Sequence, residues 1–315
     1  FDKLNHWFLF DKLLKRGLPS VIVRLLSFWF SNQRFVVKWC NVMSAYFTVL
    51  NGVRQGGIMS PLLYNIFMDD LSSLLRKSRV GCFVNNMCLN HLMYADDSVL
   101  LAPSPKALQS LINICEVYAL EHEITYNVIK TVCMCIKSKR LCDINVPDIM
   151  LNGKCLNWVV SHKYLGIIIR NDRNDSDDMK RQLQAIYSKG NLIIQKFRRC
   201  SDNVKSVLFK AHCVNLYCCQ LWSSFTTNMY KKVKVAYNNI FRHMFNLNKQ
   251  EHVSPHFVSR NVCTFDAIIR KSVFSLKSRI EKSNNTVLSS ILNSRFYILS
   301  SVLYSKWKKI LFRLP

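Results

Sequence analysis

Two adjacent aspartates, Asp96 and Asp97, stand between two short apolar runs in HLMYADDSVLLA (91–102). Neighbouring carboxylates repel each other unless a positive charge offsets them, and a divalent cation does so through the oxygen ligands that it prefers. With a third carboxylate from a neighbouring strand, the pair could hold two Mg²⁺ ions about 3.5–4 Å apart, an arrangement that assists phosphoryl transfer. The alternative is that both residues only form a turn, where Asp is favoured.

The segments around the aspartates must position them. HLMY and SVLLA are short and apolar, and only two to four residues are available for the chain to reverse between them. This pattern predicts a β-hairpin with both aspartates at its tip.

A second stretch, NGVRQGGIMSPLLYNIFMDDL (51–71), precedes the hairpin. Gly56 and Gly57 allow a backbone to approach a ligand closely, and a helix that Ser60 caps and Pro61 begins would offer free N–H groups to an anion. Helical spacing predicts a helix over 60–77. Its apolar stripe comprises Leu62, Leu63, Ile66, Phe67, Leu71, Leu74 and Leu75. The alternative is a purely structural turn between a strand and a helix.

The remaining periodicity predicts an α+β region followed by a helical one. Helices are expected at 6–16, 20–31 and 105–118, and strands at 34–39, 46–53, 131–136, 148–151, 155–159 and 164–169. From Met179 onward the spacing is helical, and the only Gly and Pro residues are Gly190, Pro255 and Pro315. An acidic, polar segment near 172–178 is predicted to link the two parts, which gives domains of 1–172 and 173–315.

The net charge of +25 is concentrated in the helical part. Residues 1–178 contain 20 Lys and Arg against 15 Asp and Glu, whereas 179–315 contain 24 against 4. Such a surface favours a polyanionic partner, and nucleic acid is the most common one. The alternative is a basic protein whose charge serves only solubility.

The cysteines and apolar runs indicate an intracellular protein. Thirteen scattered cysteines do not resemble a disulfide framework, which predicts a reducing compartment. No apolar run is long enough to span a membrane, and no signal peptide is present. One cluster that could bind a metal, but fits the buried face of a helix better, comprises His212, Cys213, Cys218 and Cys219.

Together, YADD and the 51–71 segment resemble the palm of a reverse transcriptase from a non-long-terminal-repeat retrotransposon of the jockey or chicken-repeat kind. The resemblance implies a right-hand polymerase fold, with an α+β palm built on an antiparallel sheet and then a basic, all-helical thumb and C-terminal region. It also implies an RNA-directed DNA polymerase that extends a DNA primer on an RNA template. Deoxynucleoside triphosphates would be the substrates, and Asp96 and Asp97 would bind two Mg²⁺ ions.

The resemblance assigns further roles by position. The residues expected to approach the template and incoming nucleotide are Arg54, Gln55, Gly56, Gly57, Ser60 and Pro61. In FDKLNHWFLFDKLLKRGLP, Phe1 matches the aromatic gate that excludes the ribose 2′-hydroxyl, and in EITYNVIKTVCMCI, Lys130 matches a lysine near the nucleotide phosphates. In SHKYLGIII, the primer-grip residues would be Tyr164, Leu165 and Gly166. The alternatives are an ordinary surface lysine at 130 and a strand with a glycine bulge at 166.

The resemblance implies that the basic helical part binds a primer–template duplex without sequence specificity. Candidate phosphate contacts are Lys196, Arg198, Arg199, Lys231, Lys232 and Lys234. Aromatic residues that could stack on bases are Tyr217, Trp222, Tyr230 and Tyr237. The alternatives are solvated helix faces for the cations and core positions for the aromatic residues.

One departure from the family pattern concerns the metal ligands. The resemblance places another metal-binding aspartate five residues before the position of Asp2, outside the given sequence. We therefore expect a fragment that does not polymerise DNA by itself. The alternatives are a catalytically inactive, nucleic-acid-binding remnant of a retroelement, or a viral RNA replicase, although those carry a glycine-led aspartate pair. The resemblance implies that the intact enzyme acts in the nucleus, with the cytoplasm as the alternative, and the basic cluster KSKR (137–140) is weak evidence for a nuclear location. The pattern does not indicate an oligomeric state.

Overall fold

The computed structural model of the chain describes residues 1–136, 146–294, 297 and 302–312. The KSKR cluster lies outside these residues. The fold is mixed α and β, as predicted, and contains two compact units. The first contains the described residues of 1–133 and 144–157, and the second contains those of 134–143 and 158–315. None of the helices in these ranges is both long and apolar enough to span a membrane.

Four helices form the core of the first unit, where the periodicity predicted them. They are α1 (His6–Lys15), α2 (Ser20–Ser31), α3 (Ser60–Ser78) and α4 (Pro105–Glu121). The side chains of Asn5 and Ser104 accept hydrogen bonds from the first turns of α1 and α4, which fixes where these helices begin. Leu9 and Phe67 belong to one buried cluster, and Leu75 and Leu111 belong to a second. Along α3, Leu62 and Leu74 are exposed, so its buried stripe is narrower than predicted.

The start of α3 differs from the prediction. Ser60 is the first residue of the helix rather than its cap, and the cap position is taken by Met59, whose side chain accepts no capping bond. The Ser60 hydroxyl instead donates 2.6 Å to the Arg54 carbonyl. Because this hydroxyl closes the preceding loop, it does not serve the helix N–H groups.

The strands of the first unit form two-stranded antiparallel ribbons. The pairs are β1 (Arg34–Phe35) with β4 (Phe47–Thr48), β2 (Lys38–Trp39) with β3 (Val42–Met43), β5 (Cys82–Val84) with β6 (Met87–Leu89), β7 (His91–Tyr94) with β8 (Asp97–Leu100), and β10 (Met150–Leu151) with β11 (Lys154–Cys155). Two further short strands are β9 (Val132–Cys133) and β12 (Asn157–Trp158). Within the described ranges these ribbons do not join into the larger antiparallel sheet that the resemblance implied.

The predicted strands 34–39 and 46–53 were wrong in length. Each is interrupted after two residues of pairing, and nearly every side chain between 34 and 50 is exposed. A ribbon without a buried face has no core contacts to extend its pairing. The apolar and β-branched residues here therefore indicated strands correctly but not continuous ones.

The second unit consists of one hairpin and a helical assembly. The hairpin pairs β13 (Ser161–Tyr164) with β14 (Ile167–Arg170), whereas one strand was predicted over 164–169. The helices are α5 (Ser176–Phe197), α6 (Asp202–His212), α7 (Thr227–Met244), α8 (Val253–Ser259), α9 (Phe265–Glu281), α10 (Thr286–Leu292) and α11 (Val302–Phe312), with a short 3₁₀ turn at Cys219–Leu221. Helices α5 and α7 pack closely at Gly190: a Cβ atom added there would lie 2.4 Å from the Ile240 side chain.

The acidic segment predicted to be a linker is a folded part of the second unit. Arg170 forms ion pairs with Asp172 and Asp177, and the Asp175 carboxylate accepts bonds from the backbone of Ser223 and Ser224. Its acidic residues have partners that the composition did not reveal, some close in sequence and some 48 to 49 residues away. The division between the compact units falls between 157 and 158.

Candidate functional site

The aspartate hairpin has a two-residue turn. Tyr94 pairs with Asp97, so Ala95 and Asp96 form the turn and Asp97 begins β8. Ala95 has a φ of 53°, the left-handed value that the first turn residue of a type II′ hairpin requires. A hairpin was predicted here, and the structure pairs β7 with β8, with Asp96 in the turn and Asp97 at the first position of β8.

Both carboxylates at the tip are exposed. Within the described part of the chain, neither Asp96 nor Asp97 forms an ion pair or a side-chain hydrogen bond. Two adjacent carboxylates without a cationic partner provide hard oxygen ligands of the kind that Mg²⁺ prefers. Among the residues that the structure describes, no group of three His, Cys, Asp or Glu side chains is arranged to hold a metal ion. The pair therefore fits part of a metal site, while a third carboxylate ligand is not among its described neighbours.

Asp96 lies within electrostatic reach of Tyr64 on α3. Burial, and secondly the negative charge of Asp96, raise the pKa of Tyr64 to about 12. The Tyr64 ring is stacked on Phe1, with ring centroids 4.6 Å apart and planes 6° from parallel. The structure thus brings together one predicted metal ligand and the predicted aromatic gate, through a tyrosine that the sequence did not single out.

The chain before α3 is held against the first residues. Gly52 N donates to the Leu4 carbonyl over 2.7 Å, and Val53 N donates to the Phe1 carbonyl over 3.0 Å. Gly52 has a φ of +88°, and a Cβ atom there would lie 2.7 Å from the carbonyl oxygen of Asp2. This close backbone approach requires glycine. It places the predicted nucleotide-binding segment beside Phe1.

Among the residues predicted to approach the template and the incoming nucleotide, Arg54, Gln55, Gly56 and Pro61 are exposed. Gly56 has a φ of +79° with no atom near its missing Cβ, whereas a Cβ atom at Gly57 would lie 2.6 Å from the Ser60 hydroxyl. There is therefore free space beside Gly56. The lack of a side chain at Gly57 leaves room for the Ser60 hydroxyl, which bonds to the Arg54 carbonyl. The Gln55 side chain makes one long bond of 3.4 Å to Asp2.

A polar chain supports the base of the aspartate hairpin. Asn90 is buried, and its side-chain amide donates to the carbonyls of Leu75 (2.6 Å) and Val80 (2.8 Å). Its oxygen therefore accepts, and His91 Nδ1–H donates to it over 2.8 Å. The neutral tautomer of His91 with the proton on Nδ1 satisfies every group in this chain.

The other ring nitrogen of His91 faces α3. Nε2 accepts from the Ser72 hydroxyl over 2.8 Å, and that hydroxyl in turn accepts from Arg76 over 2.9 Å. Burial, and secondly the charge of Arg76, lower the pKa of His91. The hairpin is thus anchored to α3 through a neutral histidine. Sequence reasoning missed this role, because it depends on Ser72, which lies 19 residues earlier in the chain.

Lys130 lies in a short turn between α4 and β9. Its backbone N–H donates to Asn127, and its side chain is exposed and unpaired within the described ranges. Among the described residues, no hydrogen bond or ion pair joins Lys130 to the aspartate hairpin. Its predicted role near the nucleotide phosphates stays a prediction.

The predicted primer-grip residues form the turn of the hairpin in the second unit. Leu165 and Gly166 both have positive φ, at 45° and 81°. The Tyr217 hydroxyl donates to the Leu165 carbonyl over 3.0 Å, and a Cβ atom at Gly166 would lie 3.0 Å from the Tyr217 ring. A glycine is required here because the tyrosine packs over it. Tyr217, one of the aromatic residues that could stack on bases, supports this turn.

A buried carboxylate that sequence reasoning missed holds the same hairpin. Asp178, which is 4% exposed, accepts from Ile168 N of β14 (3.1 Å) and from Trp222 Nε1 (2.9 Å). It also pairs with Arg181 at 2.7 Å. Its position among other acidic residues gave no indication that this one is internal.

The cations and aromatic residues predicted to bind nucleic acid fall into two groups. The exposed cations without an ion-pair partner in the described part of the chain are Lys196, Arg198, Arg199, Lys231 and Lys232. Lys234, in contrast, pairs with Asp266 at 2.6 Å, and Tyr230 donates to the same carboxylate over 2.9 Å. Trp222 and Tyr237 are buried in the core, as the core interpretation of these positions predicted.

The cysteine cluster in the second unit is divided between core and surface. Cys213 and Cys219 are buried in the apolar core, and burial raises the pKa of each thiol to about 11. His212 is exposed. Both cysteines are buried as predicted, but Cys213 follows the last residue of α6 and Cys219 begins the 3₁₀ turn, so they do not lie on the face of one helix.

Comparisons with known proteins identify relatives of the chain. RNA-directed DNA polymerases are named among them: the probable enzyme from Drosophila melanogaster transposon BS is 25% identical over 261 residues, which cover 77% of this chain and 27% of the relative. The probable enzyme from the X-element of the same species is 23% identical, with the same coverage of both chains. The enzyme from the Drosophila funebris mobile element jockey is 26% identical over 176 residues, or 54% of this chain and 18% of the relative.

The chain thus spans about a quarter of the length of the first two relatives. The family model described as reverse transcriptase (RNA-dependent DNA polymerase) matches residues 1–169, more than half of the 315 residues. The predicted resemblance to non-long-terminal-repeat retrotransposon enzymes is confirmed. The chain belongs to the reverse transcriptase (RNA-dependent DNA polymerase) family.

Proposed function

We propose that this chain is part of an RNA-directed DNA polymerase of a non-long-terminal-repeat retrotransposon, and that Asp96 and Asp97 bind its divalent cations. The observation that carries the proposal is the exposed, unpaired aspartate pair at the tip of a two-residue turn. Family membership and the names of the relatives support the reaction class. The RNA template, DNA primer and deoxynucleoside triphosphates are the partners that this activity requires.

The two aspartates have distinct positions. Asp96 lies in the turn and Asp97 begins β8, so the hairpin register fixes their relative placement. When bound, Mg²⁺ supplies electrostatic stabilisation of charge on the reacting phosphate. The protein contributes a rigid support, because the neutral His91 and the buried Asn90 anchor the base of the hairpin to α3.

The stacked pair of Phe1 and Tyr64 is proposed as the wall of the nucleotide site. Tyr64 is close enough to Asp96 for the carboxylate to contribute to its raised pKa, and Phe1 lies parallel to its ring. An aromatic ring held on one face by another ring has little freedom to move aside. This rigidity supports the proposed steric exclusion of a ribose 2′-hydroxyl by Phe1.

Arg54, Gln55, Gly56 and Gly57 are proposed to approach the template and the incoming nucleotide. The exposure of the first three residues and the open space at Gly56 support this role. Ser60 acts indirectly, because its hydroxyl holds the carbonyl of Arg54 and so shapes the loop. Lys130 is proposed to contact the nucleotide phosphates.

We propose a palm in residues 1–172 and a basic helical thumb and C-terminal region in 173–315. Tyr164, Leu165 and Gly166 would form the primer grip, and the support of their turn by Tyr217 and Asp178 is consistent with that role. The family acts at chromosomal DNA, so we propose a nuclear site of action.

A second candidate function is nucleic-acid binding without polymerisation, as in an inactive retroelement remnant. The observation that favours it is the set of exposed, unpaired cations on α5 and α7. Such cations bind phosphate backbones whether or not the aspartates support catalysis.

Ion binding can be tested independently of polymerisation. Mn²⁺ is titrated into residues 1–315 with labelled Phe and Tyr rings, and paramagnetic broadening is followed by NMR. The ring signals of Tyr64 and Phe1 should broaden at lower Mn²⁺ concentrations than those of other rings. The double variant Asp96→Asn, Asp97→Asn should remove this difference. Asp11→Asn, which changes another exposed carboxylate of the same unit, should leave it intact. Broadening that is equal in the wild type and the double variant would exclude the proposed metal site.

Primer extension on an RNA template distinguishes the two candidate functions. Mg²⁺-dependent incorporation of deoxynucleotides that disappears in Asp96→Asn would support the polymerase and would contradict the expectation that residues 1–315 are inactive alone. Salt-sensitive binding of the duplex without incorporation would favour the second candidate for these residues. Preference for ribonucleotides would instead indicate an RNA replicase.

A further inference from the structure

A small pocket in the second unit lies where the end of α5, the first turn of α6 and the end of α7 meet. Its polar lining residues are Arg198, Lys205, His243 and Asn246, and Ile193 and Met244 contribute to an apolar wall. No Asp or Glu lines the pocket. Its side chains are therefore suited to an anion that also presents an apolar surface.

Lys205 is the unusual member of this set. It is 8% exposed, yet within the described residues its ammonium group has no hydrogen bond and no ion pair. Lysine is almost never this buried unless it has a partner. Lys12 of the first unit, 7% exposed, shows the usual solution, since it contacts Asp70, the Phe67 carbonyl and the Tyr118 hydroxyl at 2.6–2.7 Å.

The charges near Lys205 do not supply a counter-ion. Asp202, one turn earlier on α6, is paired with Arg260 at 2.8 Å. Arg198 is exposed and has no ion-pair partner in the part of the chain that the structure describes. Two cations thus share one concave site while the nearby carboxylate is already paired.

We propose that this pocket binds one backbone phosphate of a nucleic acid, with Lys205 and Arg198 as its cationic ligands and the apolar wall against the adjoining sugar. The proposal rests on the proposed nucleic-acid-binding function of the second unit. A phosphodiester combines an anionic oxygen pair with an apolar sugar face, which matches both sides of the pocket. The large excess of basic residues in 179–315 favours a polyanion over an isolated small anion.

The competing explanation is that these cations only stabilise the carboxyl-terminal ends of α5 and α7, where positive charge is favourable. That explanation predicts a loss of stability without a loss of nucleic-acid affinity when Lys205 is neutralised. The two explanations therefore differ in a measurable quantity.

The test uses residues 1–315 and a fluorescent RNA–DNA duplex of 12 base pairs, with affinity measured from 50 to 300 mM KCl. Lys205→Met keeps the apolar stem and should weaken binding about tenfold and reduce the slope of log affinity against log salt by about 0.9. Lys205→Arg should restore most of the affinity. The matched control is Lys210→Met, which removes the same charge from an exposed site at the other end of α6 and should have a smaller effect.

Arg198→Gln provides a second variant at an exposed position, so its folding is not in question. It should weaken binding in the same direction as Lys205→Met. If Lys205→Met does not fold, as judged by circular dichroism, loss of affinity in Arg198→Gln with retention in Lys210→Met would still support the pocket. Equal affinities and salt slopes for the wild type, Lys205→Met and Arg198→Gln would overturn the pocket while leaving the proposed function intact.

Inorganic phosphate distinguishes a backbone site from a free-anion site. The melting temperature is measured in phosphate and in chloride at equal ionic strength. One outcome would overturn the assignment to a backbone phosphate: phosphate stabilises the wild type but not Lys205→Met, while both bind the duplex equally well. Absence of duplex binding by the wild type at low salt would overturn both this proposal and the nucleic-acid-binding role of the second unit.

Discussion

The indole Nε1–H of Trp222 donates a hydrogen bond of 2.9 Å to the carboxylate of Asp178, 44 residues earlier in the chain. The same carboxylate accepts from Ile168 N in β14 and pairs with Arg181. One buried acid therefore joins the hairpin that carries the proposed primer grip to two parts of the helical assembly.

Replacing this acid should destabilise the second unit. Asp178→Ala leaves the indole N–H, the Ile168 N–H and a largely buried guanidinium without their acceptor, so we expect a loss on the order of 3 kcal/mol in the free energy of unfolding. The measurement is guanidinium-induced unfolding followed by tryptophan fluorescence. Asp172→Ala is the matched control, since Asp172 is also an acid beside an arginine but its side chain is 47% exposed. Equal losses for both variants would contradict the role of Asp178.

Stability of the first unit should fall as the pH falls below about 6.5. The pKa of His91 is lowered, chiefly by burial and then by Arg76, so the unfolded chain takes up this proton at a higher pH than the folded chain does. Above the unfolded value of 6.5 both forms are neutral and the full stability is present. Stability is then lost as the pH falls from 6.5 through the folded pKa. Thermal unfolding between pH 7.5 and 5 measures this slope.

His91→Gln should reduce that slope, because glutamine does not titrate. The slope should not vanish, since burial, and secondly Lys12, also lower the pKa of His122 in the same unit. A double variant with His122→Gln should flatten the profile further. An unchanged slope in the double variant would show that other groups control acid stability.

Two glycines with similar backbone angles should respond differently to alanine. Gly52 (φ +88°) faces the backbone of Asp2 at 2.7–2.9 Å, whereas Gly17 (φ +80°) has open space at its missing Cβ. Gly17→Ala should cost about 1 kcal/mol from the backbone angle alone, and Gly52→Ala at least about 2 kcal/mol because displacement of Asp2 is added. Chemical denaturation of both variants measures the difference. Comparable losses would mean that the close approach at Gly52 is easily relaxed.

The tip of the aspartate hairpin should tolerate glycine. Ala95 has a φ of 53°, which is unfavourable for a residue with a Cβ atom, so Ala95→Gly should stabilise the hairpin by up to about 1 kcal/mol. Ala107→Gly, inside α4, should instead destabilise the unit by about 1 kcal/mol. Amide hydrogen exchange of β7 and β8 reports on the first variant. Faster exchange in Ala95→Gly would show that the alanine conformation is not strained.

Helices and the aspartate hairpin could be predicted because their determinants are local. The apolar spacing of α1 to α4 repeats within each helix, and the two apolar segments around YADD leave room only for a tight reversal. Family motifs then indicated the reaction class, and the match over 1–169 confirmed the family.

Contacts between distant residues could not be predicted in the same way. Nothing in the local pattern distinguishes Asp178, which is internal, from Asp172, which is exposed. Likewise, the pairing of Lys234 with Asp266 and the packing of Tyr217 over Gly166 depend on which segments meet in space. Ser60 has the residue type of a helix cap, yet a carbonyl six residues earlier competes successfully for its hydroxyl.

The contact between Gly190 and Ile240 has a consequence for how related sequences can diverge. Helices α5 and α7 approach so closely there that a single added carbon would displace one of them, whereas Lys196, Lys231 and Lys232 on the same helices are exposed. Among related sequences, the positions of these exposed Lys residues can therefore vary as long as the total positive charge is maintained. The glycine can change only together with its isoleucine neighbour, so paired substitution at these two positions is what a family of homologues should record.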